Sequence, residues 1–74
     1  MTRSVVWTDR AEAQLLGLPL RDADLALKAV ERFASNGLGF VRRMLPSNEL
    51  RLYAGNCVVL FSTTPDRIII EEVR

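Results

Sequence analysis

Glu49-Leu50-Arg51-Leu52-Tyr53-Ala54-Gly55-Asn56-Cys57-Val58-Val59-Leu60-Phe61 is the stretch on which the fold turns. Apolar and polar residues alternate on the first side, a turn signal interrupts, and an apolar run follows; this is the pattern of two antiparallel strands joined by a hairpin. Taking Ala54-Gly55 as a two-residue turn pairs Tyr53 with Asn56, Leu52 with Cys57, Arg51 with Val58 and Leu50 with Val59. One face then collects Leu50, Leu52, Cys57, Val59 and Phe61. The other collects Glu49, Arg51, Tyr53, Asn56, Val58 and Leu60. A slip of one residue would push Arg51 and Tyr53 into the apolar row, so the division into faces is strongly specified.

Working outward, Phe40–Leu45 precedes this hairpin and Arg67–Val73 follows it. Pro46-Ser47-Asn48 and Thr63-Thr64-Pro65-Asp66 separate the candidate strands with turn residues. Connections this short imply an antiparallel meander of Phe40–Leu45, Glu49–Ala54, Asn56–Ser62 and Arg67–Val73, the first of them short. The Pro46-Ser47 connection places Arg42 beside Arg51 on the second face. That face combines arginines and a tyrosine with an apolar patch of Val58 and Leu60. A patch of that kind in a small domain is expected to meet a partner or line a groove.

Before residue 40 the period is helical. A short strand, Arg3–Trp7, leads to Thr8, which reads as an N-cap with Asp9 and Glu12 in the first helical turn. Ala11, Leu15 and Leu18 recur at helical spacing, Leu16 adjoins them, and Gly17-Leu18-Pro19 ends the helix. A second helix runs from Arg21 or Asp22 to Ser35, with Leu25, Ala26, Ala29, Val30, Phe33 and Ala34 as its apolar stripe and Asn36-Gly37 as its stop. So short a link folds the two helices into a hairpin. The expected architecture is one α+β domain over residues 1–74, a two-layer fold in the order β-α-α-β-β-β-β.

Composition narrows the function. With 74 residues, of which 49% are hydrophobic and 26% charged, the chain is ordinary globular material but small enough to gain from a partner. It has one cysteine, Cys57, and no histidine. A disulfide framework, a zinc site of thiols or imidazoles, and a histidine general base are all excluded. Neither a membrane-length apolar run nor a leader pattern at Met1–Thr8 is visible, so the expected location is the cytoplasm, with no membrane partner. Net charge is +1, too little for nucleic-acid binding by bulk charge. Its distribution says more, because residues 40–55 hold Arg42, Arg43 and Arg51 against Glu49 alone. Cys57 falls on the core row and reads as a small buried hydrophobe, Trp7 as core, and Gly37-Leu38-Gly39 as turn rather than phosphate loop.

The chain resembles the RelE/ParE superfamily of toxins from bacterial type II toxin–antitoxin systems. The resemblance rests on Val6-Trp7-Thr8 followed by Arg10-Ala11 and Leu15; on Arg42-Arg43-Met44-Leu45, then Leu50-Arg51-Leu52, then Gly55 and Val58–Phe61; and on Ile68-Ile69-Ile70 with Val73. It implies a RelE/ParE-like fold, a cognate antitoxin bound in a hetero-oligomer, and no cofactor or metal. RelE-type members cleave mRNA in the ribosomal A site, whereas ParE-type members inhibit DNA gyrase. By the same resemblance, Arg51 matches a basic residue facing the RNA, and Arg42 or Arg43 matches a backbone-contacting charge. The family's glycine-x-aromatic-arginine pattern here reads Gly55-Asn56-Cys57-Val58, and its tail with an arginine and a tyrosine has no counterpart before Arg74.

The candidate site is accordingly Arg51 as the catalytic residue, Arg42, Arg43 and Tyr53 for RNA, and Val58 and Leu60 for the antitoxin. Guanidinium groups donate to phosphate but stay protonated and cannot act as a base. Glu49 is a base candidate on the same face, or else the ion-pair partner of Arg51. Tyr53 either stacks on a base or packs half-buried in the sheet. Three functions follow: a ribosome-dependent endoribonuclease that inhibits translation, a ParE-like inhibitor without catalysis, and a degenerate toxin that only binds its antitoxin.

Overall fold

The computed structural model describes residues 3–74; Met1 and Thr2, at the head of the stretch inspected for a leader, lie outside the described residues. The elements run β1 (Ser4–Trp7), α1 (Asp9–Leu16), α2 (Leu20–Asn36), β2 (Phe40–Met44), β3 (Glu49–Ala54), β4 (Cys57–Thr63) and β5 (Arg67–Val73). All the strands form one sheet in the order β1-β5-β4-β3-β2. Strands β2 to β5 make the antiparallel meander, and β1 adds to β5 in parallel, Ser4 opposite Arg67 and Trp7 opposite Ile70. The α+β order deduced from the period change is the one the chain adopts.

Local chemistry sets the helix ends. The Thr8 hydroxyl oxygen accepts from the Ala11 amide at 3.2 Å, satisfying one orphan donor at the start of α1. The same hydroxyl donates to the Ile70 carbonyl at 2.8 Å, which ties the helix start to β5. Helix α2 begins at Leu20, earlier than the expected Arg21 or Asp22. Pro19, with φ −53°, is already set for a helix start, and its lack of an N–H costs nothing there. At the other end Gly37 takes φ +74°, the left-handed conformation that glycine reaches without a Cβ penalty, and its amide caps the Phe33 carbonyl.

The core lies between the helical hairpin and one face of the sheet. Ala11 and Leu15 from α1 and Ala26, Ala29, Val30 and Ala34 from α2 meet Leu52, Val59, Phe61, Ile68, Ile70 and Val73. Four small or β-branched positions on α2 let the helix sit close to the sheet, and Phe33 meets Phe61 edge-on with ring centroids 5.3 Å apart. Gly39 is part of this closeness, since a Cβ there would lie 2.9 Å from Leu52 Cδ1. Two expected stripe residues lie outside the core: Leu16 is 78% exposed and Leu25 is 41% exposed. Cys57 is buried, as its row predicts, and burial pushes its thiol pKa up, with a smaller contribution from the Asp22 charge.

The central hairpin differs from expectation in register but not in faces. Its turn is Gly55-Asn56 rather than Ala54-Gly55, so Tyr53 pairs with Val58, Leu52 with Val59, Arg51 with Leu60 and Leu50 with Phe61. Gly55 has φ +59°, and a tight turn with positive φ at its first central residue wants glycine there rather than alanine. The shift is two residues, one full pleat, and every side chain keeps its predicted side. Between β4 and β5 a bulge intervenes: Phe61 pairs with Ile70 and Leu60 with Glu72, leaving Glu71 as the extra residue.

Candidate nucleic-acid interface

Helices cover only one face of the sheet. On the other face, the alternation of strand side chains places Phe40 and Arg42 from β2, Glu49, Arg51 and Tyr53 from β3, and Val58 and Leu60 from β4. The pairing sets the rows across this face. Phe40 stands opposite Tyr53, which stands opposite Val58. Arg42 stands opposite Arg51, which stands opposite Leu60, which stands opposite Glu72. Arg42 and Arg51 are therefore neighbours, as the turn chemistry predicts. Their like charges sit directly across from one another, an arrangement that opposes folding unless each finds an anion.

Arg51 finds one within its own strand. Its Nε donates to Glu49 Oε2 at 2.8 Å, and the two side chains are 28% and 32% exposed. The hydrogen bond to Glu49 raises the guanidinium pKa further, desolvation opposes this, and the Glu49 charge and the Tyr53 hydroxyl add to the rise. Arg51 is a permanent cation here. Arg42 is exposed and, among the described residues, has no carboxylate at ion-pair distance.

Arg43 lies apart from them. It pairs with Leu50, on the side of the sheet that carries the helices, because adjacent strand residues point to opposite faces. The doublet that looked like one basic patch in sequence is thus divided. Arg43 lines a cavity of about 410 Å³ beside the β2–β3 turn, together with Ser47, Asn48, Glu49 and Glu71.

The apolar end of the face also differs from expectation. Val58 is half-buried, but Leu60 is only 5% exposed. Leu60 lines a depression of about 320 Å³ together with Arg10, Glu49, Glu71, Glu72 and Arg74. The Arg10 and Arg74 side chains at its rim are 69% and 57% exposed. Glu72 organises this rim. Its side chain is 11% exposed and accepts from Arg10 of α1 on one oxygen and from Arg74 on the other. The bulge aims Glu72 at this position. Glu72, which reads from the sequence as solvated, is buried here beside Arg10 and Arg74, because the bulge and the crossing of α1 over the end of β5 bring them together. Phe40 was also missed, although its even spacing from Arg42 on one strand is a legible signal. It is 68% exposed, and its ring meets Tyr53 edge-to-face at 5.6 Å.

The arrangement supplies two cations for phosphate, two aromatic rings, and one carboxylate already bonded to a cation. Among the described residues there is no group of three or more metal-ligating side chains, and no helix is long and apolar enough to cross a membrane.

Neither a family model nor a curated protein matches the sequence. The structure is similar to a chain in the crystal structure of the toxin–antitoxin complex RelBE2 from Mycobacterium tuberculosis, with a TM-score of 0.84 and 17% identity, over 99% of this chain and 96% of that one. At that identity the likeness speaks to architecture, and the chain has a RelE-like α+β fold.

Proposed function

We propose that this chain is the toxin of a type II toxin–antitoxin system, RelE-like in action, which inhibits translation by cleaving mRNA at the ribosome. The observation that carries the reading is the cross-strand pair Arg42 and Arg51 on the helix-free face, flanked by Phe40 and Tyr53. Guanidinium groups beside aromatic rings are what single-stranded RNA recognition uses: cations for phosphate, rings for splayed bases. In the cleavage step the ribose 2′-oxygen attacks phosphorus, the bond to the 5′-oxygen breaks with that oxygen taking a proton from water, and a 2′,3′-cyclic phosphate is left. Arg51 and Arg42 stabilise the charge that develops on the phosphoryl oxygens. An RNA phosphate competes with Glu49 for Arg51, and the displaced carboxylate accepts the 2′-hydroxyl proton. Val58, with Leu60 inside its charged rim, provides the antitoxin-facing end. An antitoxin rich in Asp or Glu neutralises the same arginines, in a cytoplasmic hetero-oligomer. The similar structure is that of a toxin–antitoxin complex, which supports an antitoxin partner.

The ion pair that holds Glu49 favours a second reading, a ParE-like inhibitor that binds gyrase without catalysis. A degenerate toxin that only binds its antitoxin is the third. Induced expression in a bacterial host, with and without Arg51→Ala, separates them. Growth arrest with new mRNA 5′ ends inside translated codons, both lost in the variant, is the expected result. Arrest with intact mRNA moves the assignment to a binding inhibitor, and no arrest leaves an antitoxin-binding module.

A further inference from the structure

We infer that the Phe40 ring is a stacking platform for one unpaired nucleobase, with Arg42 taking the adjacent phosphate. The inference rests on the reading of the helix-free face as an RNA-contacting surface and assigns to it the residue that seats a base. Phe40 is among the most exposed large apolar side chains of the fold, at 68%, and it is not scattered at random. It sits on β2, the edge strand, where no neighbouring strand limits approach from outside. The contact with Tyr53, with an interplanar angle of 76°, is edge-to-face and leaves most of Phe40 exposed. The exposed part is available to a flat partner.

The choice of a nucleobase follows from what stands beside the ring. Arg42 is on the same strand and the same face, two residues along, which at strand rise is about 6.6 Å. It is exposed and, among the described residues, uncompensated by any carboxylate. An apolar peptide side chain would satisfy Phe40 and leave Arg42 unanswered. A nucleotide answers both, the base on the ring and the phosphate on the guanidinium. The base must be unpaired, because a paired base has both faces occupied by its neighbours in the duplex. Stacking of this kind is tolerant of sequence, since every base has a π-face.

The test is fluorescence anisotropy of a short fluorescein-labelled oligoadenylate RNA titrated with the full chain, and with Phe40→Leu, Phe40→Trp and Arg42→Ala. Phe40→Leu keeps the apolar volume and removes the π-face. It is expected to weaken binding about five- to hundredfold with the salt dependence unchanged, as loss of one stacked base does. Phe40→Trp should restore or exceed wild-type affinity, which a merely structural role would not permit. Arg42→Ala should instead weaken binding and flatten the salt dependence by about one phosphate contact. Equal affinity of Phe40→Leu and the parent chain overturns the platform, as does failure of the parent chain to bind the oligonucleotide. Binding of an alternating Glu-Leu peptide that Phe40→Leu abolishes, with no oligonucleotide binding, also overturns it by giving the ring to a protein strand. The cell assay is independent of these outcomes. Absent mRNA cleavage with stacking intact defeats the nuclease reading alone. Cleavage by a chain whose RNA binding ignores Phe40 defeats the platform alone.

Discussion

Replacing Glu49 with Gln should turn Arg51 from a compensated into a free cation without changing the shape of the site. The glutamine side chain still offers an oxygen to Arg51 Nε, now held at 2.8 Å by the carboxylate, but carries no charge. The size of the effect follows from a count over the helix-free face and its rim. Arg10, Arg42, Arg51 and Arg74 stand against Glu49, Glu71 and Glu72, four minus three, a net of +1. Glu49→Gln makes this +2. Each additional phosphate neutralised on a single strand steepens the dependence of log K on log salt by about 0.7. Between 50 and 200 mM salt, a fourfold change, the variant should therefore lose an extra factor of about 2.6 in affinity relative to the parent chain. The assay is anisotropy of a labelled single-stranded RNA at several salt concentrations. Glu31→Gln on α2 serves as control, since it changes net charge equally but lies in the helical layer. Equal slopes for Glu49→Gln and Glu31→Gln would show that Arg51 does not contact phosphate, and the reasoning from the sheet face would be refuted.

Two further outcomes test the fold around this face. Thr8→Ala removes both the cap on Ala11 and the hydroxyl bond to Ile70, and should cost about 1–2 kcal/mol, visible as a melting-temperature drop of roughly 4–15 °C in a domain of this size; an unchanged melting temperature would mean that the cap is not formed. The raised pKa of Cys57 means that the native state keeps its thiol proton after the unfolded chain has lost it. Stability from this group is intact below the unfolded cysteine value, about 8.5, and falls as pH rises above it. Denaturant unfolding at pH 8 and 10 should show a larger loss for the parent chain than for Cys57→Ala, and equal losses would mean that the thiol is open to water.

Side-chain facing was legible because it depends on parity alone. Leu52, Val59 and Phe61 had to share a side, and the alternative buried Arg51. Register was less legible, because choosing between Ala54-Gly55 and Gly55-Asn56 depends on the sign of one φ angle. Position along the sheet was not legible at all for β1. Its pairing with β5 joins residues more than sixty apart, and no local pattern encodes that. The site followed the same division. The pairing of Arg42 with Arg51 and the Arg51–Glu49 bond came from alternation and proximity along the chain. The burial of Leu60 did not, since it depends on Glu72, which a bulge turns toward it, and on Arg10, which arrives from another element. Arg43 shows how a doublet in sequence misleads: neighbours on a strand are the pair least able to act together.

The parallel pairing of β1 with β5 also has a consequence for timing. Strand β5 lies between β1 and β4, and it supplies Ile68, Ile70 and Val73 to the core. During synthesis β1 emerges long before Arg67–Val73, the strand it pairs with. The arginine face is borne on β2, β3 and β4, and of these only β4 pairs with β5. A nascent chain that lacks Arg67–Val73 thus has no partner strand for β1 and leaves one edge of β4 unpaired. Completion of the last strand is therefore the step that joins the two ends of the chain into one sheet.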